Sequence, residues 1–481
     1  MDRTYDVIVV GYGGAGAVAA ITAYDNGASV LILEKTAEGG GNTRASGGSI
    51  TIPTAEVFAS YLETLCFQTT PRDVLDTFVE NAMKIGDWIK RMGGEMASST
   101  ATPISYPVPH VGPGFPQVTG AQYMAKYKVR GVSSESTGWQ LWDLLSTNVQ
   151  CRTINIITNA LVKELITNQR HEVVGVISEI DGQDVSIEAK KGVILTCGGF
   201  QNNPVLKREY LPVKTAEFTG TPANTGDGIA MIQKVGAALW HMTALVCAPG
   251  LKVPDYEAAF FICFYTPKFI FVDKYGRRYF DEARGVEVHE YWKPFAYFDT
   301  NRFEYPRIPS YAIFDEEAIW EGPILMSASG WNRGIYNWSQ DNSAEIDKGW
   351  IIKSETTREL AQKLSLSEST LDETITKYNK YCRAGLDLDF GRSQQDLSAI
   401  AKPYYAVKLW PALINTQGGP RRDKQARVLD IDGKPIPRLY AAGEFGSIWG
   451  FIYPGGCNLS ECIVFGEIAG RNVTKDPVLK S

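Results

Sequence analysis

The chain lacks the cysteine patterns that are typical of metal and redox-cluster proteins. Its eight cysteines are scattered, with no CxxC, no CxxCH and no Cys/His cluster. This absence argues against iron–sulfur, haem and zinc sites. We expect reduced thiols that lie mostly in the core.

Long apolar runs and an excess of positive charge are also missing. No run of 18 or more apolar residues occurs, so we expect no membrane-spanning helix. The net charge of −6 and the lack of a basic stripe argue against nucleic acid and anionic membranes as partners. A strand pattern begins at Tyr5, which leaves no room for a signal peptide, so we expect a cytoplasmic protein. The 481 residues, 44% hydrophobic and 21% charged, predict two or three globular domains.

The most informative stretch is a glycine-rich turn within the first fifty residues. A β-branched apolar run at residues 5–10 predicts a buried parallel strand. The turn Gly11-Tyr-Gly-Gly-Ala-Gly16 follows at once, then a small-residue helical stretch, and then an apolar run that ends at Glu34. This order of strand, glycine turn, helix, strand and acid predicts a dinucleotide-binding βαβ unit.

Each part of this unit has a physical role toward the dinucleotide. Gly11 allows the tight turn, Gly13 lets the backbone approach a pyrophosphate, and Gly16 allows close packing of helix on strand. The helix start offers free N–H groups and a positive dipole end to the phosphates. Glu34 can accept hydrogen bonds from a ribose. The predicted cofactor contacts of this unit are Gly11, Gly13, Gly14, Ala15, Gly16, Glu34 and Lys35.

A second glycine cluster follows the acidic strand end. Residues 39–49 read GGGNTRASGGS, in which glycine lets the main chain pass close to a long ligand and polar side chains can donate to it. This run resembles the FAD-binding family of fumarate reductase and succinate dehydrogenase flavoproteins, which includes the 3-ketosteroid dehydrogenases. The resemblance implies FAD as the cofactor, with contacts at Gly41, Asn42, Thr43, Ser46, Gly47 and Gly48. Residues 39–50 contain no histidine, so we expect noncovalent FAD.

Later blocks resemble the same family in the same order. Residues 192–200 resemble its LATGGF strand, residues 225–228 its TGDG motif and residues 438–444 its GLYAAGE strand. Before them, two strand patterns around Asp181-Gly182 predict a β-hairpin. The resemblance implies further FAD contacts at Leu161, Val162, Thr196, Gly198, Gly199, Asn224, Asp227, Gly443, Glu444, Asn458 and Leu459.

The resemblance also implies the architecture. It predicts a mixed α/β fold, in which a Rossmann-like FAD-binding domain of the glutathione-reductase type carries an inserted α+β capping domain. Residues 248–402 mix short strand patterns with aromatic loops and two helical stretches. We therefore expect the first part of the FAD-binding domain at residues 1–247, the capping and substrate domain at 248–402, and the second part of the FAD-binding domain at 403–481.

Two positions argue against one reaction of this family. Fumarate reductases have a proton-donating arginine at the opening of the last helix and a histidine before an earlier glycine turn. This chain has Tyr453 and Asn415 there, and neither residue carries a permanent positive charge. Fumarate reduction is therefore disfavoured, although Arg284 and Arg421 remain as cations that can bind a substrate carboxylate.

The run Tyr453-Pro-Gly-Gly456 resembles instead the Tyr-Pro-Gly turn of the 3-ketosteroid 1-dehydrogenases. There the tyrosine hydroxyl and a glycine N–H bind the ketone oxygen, which implies Tyr453 and Gly456 as catalytic groups and Gly455 as a substrate contact. Two donors on the carbonyl oxygen stabilise the enolate that develops when the Cα proton is lost and hydride leaves Cβ for N5 of FAD.

The base that removes the Cα proton is left open by the sequence. The family places a tyrosine shortly after an acidic pair, here Asp281-Glu282, but no tyrosine occurs at residues 283–286. Tyr265, Tyr291 and His289 are the candidates nearby. Tyr106 is a further candidate, because it lies in a long Pro- and Gly-rich loop predicted at residues 101–122, and such loops are often functional.

We therefore expect an FAD-dependent oxidoreductase that desaturates a cyclic ketone at its α,β carbons. The substrate is a ketosteroid or a smaller cyclohexanone that carries a carboxylate, such as 4-oxocyclohexanecarboxylate, and an electron acceptor is needed. The first alternative is an ene-reductase of an enone or unsaturated acid. A non-catalytic flavin-binding module and an NAD-binding dehydrogenase are further alternatives.

Overall fold

The computed structural model describes residues 3–99, 106, 113–130, 137–284, 289–326 and 329–478. Most of the loop predicted at residues 101–122 lies outside the described residues, and so do residues 285–288. Within these ranges the strands are β1 (Arg3–Val10), β2 (Val30–Leu33), β3 (Ile50–Pro53), β4 (Glu95–Ser98), β5 (Met124–Arg130), β6 (Asn155–Ile157), β7 (Ala160–Thr167), β8 (Val173–Ile180), β9 (Gln183–Leu195), β10 (Glu217–Phe218), β11 (Leu239–Trp240), β12 (Leu245–Leu251), β13 (Phe260–Phe261), β14 (Phe269–Val272), β15 (Ser310–Asp315), β16 (Ile352–Ser354), β17 (Tyr404–Thr416), β18 (Gly419–Pro420), β19 (Arg427–Leu429) and β20 (Pro435–Ala441).

The helices of the same ranges are α1 (Gly14–Asp25), α2 (Gly41–Ala45), α3 (Phe58–Leu65), α4 (Arg72–Ala82), α5 (Ile85–Arg91), α6 (Thr137–Cys151), α7 (Pro204–Tyr210), α8 (Asp227–Lys234), α9 (Trp292–Phe295), α10 (Glu316–Trp320), α11 (Ser343–Asp347), α12 (Thr357–Leu364), α13 (Glu368–Ala384) and α14 (Cys457–Val473). Within the described ranges, no helix has both the length and the apolar character needed to cross a membrane.

The first sheet carries the predicted βαβ unit. Its strand order is β19-β20-β9-β1-β2-β6, and β20, β9, β1, β2 and β6 run parallel. Val7 and Val9 pack on the side of α1, whereas Ile8 and Val10 pack into the core on the other face. Burial on both faces explains why β1 is almost continuously apolar.

A β-hairpin extends this sheet. The strands β8 and β9 pair antiparallel from Gly175–Glu188 to Ile180–Gln183, which leaves Asp181 and Gly182 as a two-residue turn. Both turn residues have positive φ, +51° and +74°, as a type I′ turn requires. The hairpin predicted from Asp-Gly is confirmed.

The helix α1 packs along α14 and on the parallel strands. The two helices approach closely, because a Cβ at Gly470 would lie 2.4 Å from the carbonyl oxygen of Ala19 and a Cβ at Gly466 would lie 2.9 Å from that of Ala15. The helix α1, which belongs to the predicted cofactor motif, therefore packs closely against the last helix.

A second sheet has the order β13-β12-β17-β15-β14, with β10 and β16 also paired to β17. The strand β12 spans the boundary predicted at residue 247, and β17 follows the one predicted at residue 402. A third sheet, β3-β5-β4, is antiparallel and contacts α14 through β3. Parallel and antiparallel sheets with packed helices confirm the mixed α/β fold.

Candidate active site

A cavity lies at the carboxyl ends of the parallel strands. It is lined by Val10 at the end of β1, Leu33 at the end of β2 and Thr196 directly after β9. In open parallel sheets this edge is where ligands bind. The wall continues along α2, α8 and β5 to the turn before α14.

The glycine turn has the geometry that its sequence predicts. Gly11 has φ +102°, which favours glycine. A Cβ at Gly16 would lie 2.0 Å from the carbonyl oxygen of Gly11, so only glycine allows this packing. A Cβ at Gly13 would meet no protein atom closer than 3.9 Å, yet Gly13 lines the cavity. The space beside Gly13 is therefore left for a ligand.

The start of α1 is free to bind an anion. The N-cap residue Gly13 has no side chain that could cap this helix, so the positive end of the helix dipole and the N–H group of Ala15, which lines the cavity, are available to a ligand. The Gly14 N–H donates to the Thr43 hydroxyl, 3.1 Å away, which joins α1 to the second glycine cluster. A pyrophosphate fits this donor set.

The acid at the end of the second strand is oriented by its own turn. Glu34 accepts hydrogen bonds from the Tyr12 N–H at 2.8 Å, the Thr36 N–H at 2.9 Å and the Thr36 hydroxyl at 2.7 Å. The carboxylate lines the cavity, and its remaining lone pairs can accept from a ribose. Beside it, Lys35 pairs with Asp227 at 2.5 Å, which ties β2 to the start of α8.

A half-buried carboxylate links separate segments of the chain in the middle of the cavity. Glu444 accepts from the Asn42 amide at 2.9 Å, the Asn224 amide at 3.3 Å and the Thr416 N–H at 3.3 Å. Burial raises the pKa of Glu444 to about 7, although these donors act in the opposite direction. The four residues come from distant parts of the sequence, and Glu444, Asn42 and Asn224 line the cavity.

Asn458 gives an independent indication of a ligand. Its side-chain nitrogen and oxygen are both buried without a hydrogen-bond partner in the described part of the chain, and the residue lines the cavity. Buried amides are normally satisfied, so this amide fits a ligand that offers both a donor and an acceptor. The heterocyclic edge of a flavin is such a ligand.

The turn before α14 closes the far end of the cavity. Tyr453 is buried, and its hydroxyl oxygen accepts a hydrogen bond from the Asn458 N–H at 3.0 Å. Because the protein supplies this donor, the hydroxyl proton stays available for a ligand. Burial raises the pKa of Tyr453, so the phenol keeps its proton at neutral pH. The ring of His289 stands edge-on to the Tyr453 ring, with centroids 5.0 Å apart.

Gly456 contributes a second donor to this turn. It has φ +69° and directly precedes α14, which has no side-chain cap. Among the described residues, the Gly456 N–H has no hydrogen-bond partner. Gly455 lies behind the wall, where a Cβ would approach His289 Cε1 to 3.2 Å and Lys126 Nζ to 3.6 Å.

The cavity brings together most of the residues predicted from the sequence. Those in its wall are Gly11, Gly13, Gly14, Ala15, Glu34, Lys35, Gly41, Asn42, Thr43, Ser46, Gly47, Gly48, Leu161, Val162, Thr196, Gly198, Asn224, Asp227, His289, Glu444, Tyr453, Gly456, Asn458 and Leu459. Gly16, Gly199, Gly443 and Gly455 lie behind the wall and shape it through close packing, since a Cβ at Gly199 would approach Glu444 Oε1 to 2.4 Å and one at Gly443 would approach Ala15 Cβ to 2.7 Å.

Three of the four candidate bases do not line the cavity. The Tyr291 hydroxyl is buried and donates to the carbonyl of Glu282 at 2.8 Å. The Tyr265 hydroxyl faces the carbonyl of Leu325 at 3.5 Å. The Tyr106 hydroxyl donates to Asp396 at 2.8 Å. These three hydroxyl groups form hydrogen bonds to other groups of the protein, whereas His289 lies in the cavity wall.

The two arginines named as substrate contacts also lie outside the cavity wall. Arg284 forms an ion pair with Asp396, the residue that also bonds Tyr106. Arg421 is exposed, and its main-chain N–H donates to the carbonyl of Ala238. The cations that do line the far end are Lys126 and Lys128 of β5. Basic residues alternate with other residues over positions 124–130, which indicates a strand with one charged face. The sequence pattern does not show that this face lies toward the cavity.

The fold and this cavity define a dinucleotide-binding flavoprotein. The chain belongs to the FAD binding domain family, whose model matches residues 6–459. It is an FAD-dependent oxidoreductase that acts on CH–CH bonds, and the residues of the glycine turn, Glu34, Asn42, Glu444 and Asn458 are those that would hold the cofactor.

Two relatives and one solved structure show the range of this family. A 3-oxosteroid 1-dehydrogenase of Mycolicibacterium smegmatis is 26% identical over 98% of this chain and 97% of its own length. A probable fumarate reductase of Shewanella frigidimarina is 28% identical over 98% of this chain and 75% of its own length. The 3-ketosteroid delta1-dehydrogenase from Sterolibacterium denitrificans has the same fold, with a TM-score of 0.84 at 23% identity over 98% of this chain and 99% of that chain.

Proposed function

We propose that this flavoenzyme desaturates a cyclic ketone at the carbons next to its carbonyl group. One observation carries the proposal: the Tyr453 hydroxyl and the Gly456 N–H lie in one turn of the cavity wall, and each has a proton to donate. Two donors that both reach the ketone oxygen would form an oxyanion hole for it. Bound FAD supplies the acceptor for the hydride that leaves Cβ.

The protein holds Tyr453 in the state that this role requires. Its raised pKa keeps the phenol protonated, and the Asn458 N–H fixes the oxygen from behind. The start of α14 lies against the same turn, and the positive end of its dipole favours the negative charge that develops on the ketone oxygen. The turn stabilises the enolate more than the ketone, which accelerates loss of the Cα proton.

We propose that His289 is the base that removes the Cα proton. It is the candidate base that lines the cavity, and its ring lies 5.0 Å from that of Tyr453, centroid to centroid. It lies within the predicted capping domain, whereas Tyr453 directly precedes α14 in the predicted second part of the FAD-binding domain, so the two groups come from different segments of the chain. A neutral imidazole accepts a proton near pH 7.

Reduction of an unsaturated acid is the second candidate. Lys126 and Lys128 in the cavity wall favour it, because a cation can bind a carboxylate, and one relative is a probable fumarate reductase. The same turn and the same proton-transfer group would then act in reverse, with His289 as the proton donor.

An anaerobic experiment separates the two directions. Oxidised holoenzyme is mixed with cyclohexanone, 4-oxocyclohexanecarboxylate and a 3-ketosteroid, and the visible flavin absorbance is followed. We expect one ketone to bleach it, and Tyr453→Phe to slow bleaching about 10²–10³-fold, the usual cost of one oxyanion-hole donor. Tyr440→Phe is the control, because that hydroxyl bonds Asp476 outside the cavity wall. If no ketone bleaches the flavin, but fumarate or an enone reoxidises reduced enzyme, the desaturase proposal is wrong.

A further inference from the structure

Two lysines lie two residues apart on β5, on one face of the strand. Side chains at such positions point the same way, and both Lys126 and Lys128 are half-buried in the cavity wall. Their Cα atoms lie about 7 Å apart along the strand, given its rise per residue.

These charges lie at the substrate end of the cavity. Thr51 of β3 pairs with Lys126 across the sheet, and the Thr51 hydroxyl donates to the carbonyl of Gly455 at 3.1 Å. The ammonium of Lys126 lies 3.6 Å from the point that a Cβ of Gly455 would occupy. Lys126 therefore lies beside the turn that holds Tyr453, and Lys128 lies on the same face of β5 in the same cavity wall.

Four carboxylates of the described residues line the cavity wall. They are Glu34, Glu38, Asp227 and Glu444, and Asp227 already pairs with Lys35. Among the described residues, Lys128 forms no ion pair with a carboxylate. Burial lowers the pKa of Lys128, the sign of an ammonium that lacks compensation. A half-buried cation of this kind is stabilised by an anionic ligand.

We infer that the substrate is an anion whose carboxylate is bound by Lys126 and Lys128. The inference rests on the proposed function, because it takes the Tyr453 turn as the place where the substrate's reacting end binds. The short distance from this turn to Lys126 favours a small substrate, such as a single ring that bears a carboxylate. On this inference a neutral steroid is not the preferred substrate.

The test uses binding without turnover. Oxidised holoenzyme is titrated with benzoate and with benzamide, which have nearly the same shape but differ in charge, and the change in the flavin spectrum gives each Kd. We expect benzoate to bind at least 10-fold more tightly than benzamide. Lys126→Met and Lys128→Met should each weaken benzoate at least 10-fold, and Lys128→Arg should restore most of the affinity. Arg130→Met is the matched control, since Arg130 ends the same strand but is exposed and outside the wall.

Three results would overturn the inference. Benzoate leaves the wild-type flavin unperturbed, or benzamide binds as well as benzoate, or the lysine variants lose FAD while benzoate binding per bound flavin is unchanged. The last result would assign the lysines to the cofactor. Because neither probe reacts, failure here is distinct from failure of the ketone to bleach the flavin, which concerns the reaction itself.

Discussion

At the scale of single residues, proton transfer depends on which side chain reaches the cavity. Four candidates compete in the sequence, and the structure places His289 alone among them in the described wall, with Tyr265 and Tyr291 bonded elsewhere. We expect His289→Gln to slow exchange of the Cα hydrogen of a bound ketone in deuterated buffer by about 10²–10⁴-fold. Mass spectrometry of the recovered ketone measures this exchange.

Tyr265→Phe and Tyr291→Phe are the controls for this prediction. Each removes a hydroxyl that bonds a main-chain carbonyl, so stability falls but the rate of exchange at Cα should not. Loss of exchange in Tyr265→Phe, with His289→Gln unaffected, would move the base to the tyrosine.

Glu444 gives a pH dependence whose sign is fixed by burial. Its pKa is about 7 in the folded protein, against an ordinary 4.5. The folded state therefore holds a proton that the unfolded state has released between these two values. The contribution of Glu444 to stability is fully present below pH 4.5 and falls by about 3 kcal/mol as the pH rises to 7.

Glu444→Gln isolates this effect. Urea unfolding of the FAD-free protein at pH 4.5, 6 and 7.5 gives the free energy of unfolding of both proteins. The difference, wild type minus variant, should fall by about 3 kcal/mol across this range. His241 acts in the opposite sense, because burial lowers its pKa to about 4, but it is present in both proteins and cancels. A pH-independent difference would contradict the prediction.

At the scale of elements, the glycine turn leaves room for a ligand beside Gly13, where a side chain would otherwise lie. Gly13 has φ −97°, an ordinary value, and a side chain there would meet no close protein atom. We expect Gly13→Ala to fold normally but to lose most of its FAD, because the methyl group enters the cofactor space. The flavin-to-protein absorbance ratio and the circular dichroism spectrum measure the two properties.

Gly86→Ala is the matched control for the glycine prediction. Gly86 lies in α5, has open space around it and lines no part of the cavity. Alanine in a helix should stabilise the protein by about 0.5–1 kcal/mol without a change in FAD content. Full FAD content in Gly13→Ala would show that the space beside Gly13 is not used.

Local sequence signals predict the elements well where chain neighbours decide the structure. The βαβ unit and the Asp181-Gly182 hairpin follow from spacing and turn residues alone. The sequence from Ser354 resembles a capping box at a helix start, but the cap lies two residues later: the Thr356 hydroxyl accepts from the Glu359 N–H, and Ser354 pairs with Tyr404 at the end of β16. Apolar residues recur at helical spacing over residues 74–92, and the structure divides this stretch between α4 and α5.

The cofactor site was predictable for the same reason, and the substrate end was not. Glycines and Glu34 lie in contiguous motifs, so a local pattern identifies them. Lys126 reaches the Gly455 turn only because β5 pairs with β3, and β3 contacts α14. Arg284 has the right charge but is paired with Asp396, 112 residues away. Such pairings depend on tertiary structure, which spacing in one sequence does not encode.

At the scale of the whole molecule, the cavity connects the sheets. Its wall takes Val10 from the first sheet, Val246 and Phe261 from the second, and Lys126 from the third. We expect FAD to stabilise the folded protein as one unit, by about 1.4 kcal/mol for each tenfold rise in free FAD above its Kd. Calorimetry at several FAD concentrations should show a single transition with rising Tm. A second transition that ignores FAD would show that one sheet unfolds independently.

The packing of α1 on α14 also determines when, during translation, the FAD site can form. A ribosome produces the phosphate-binding turn almost at once, but α14 begins only at Cys457. At about 5–20 residues per second, the interval between the two helices lasts roughly 20–90 s. During that time the small-residue face of α1 and its Gly466 and Gly470 counterparts cannot meet. The nascent chain therefore contains its nucleotide-binding motif long before α14 is available to support it. We expect FAD to bind only after α14 has been translated.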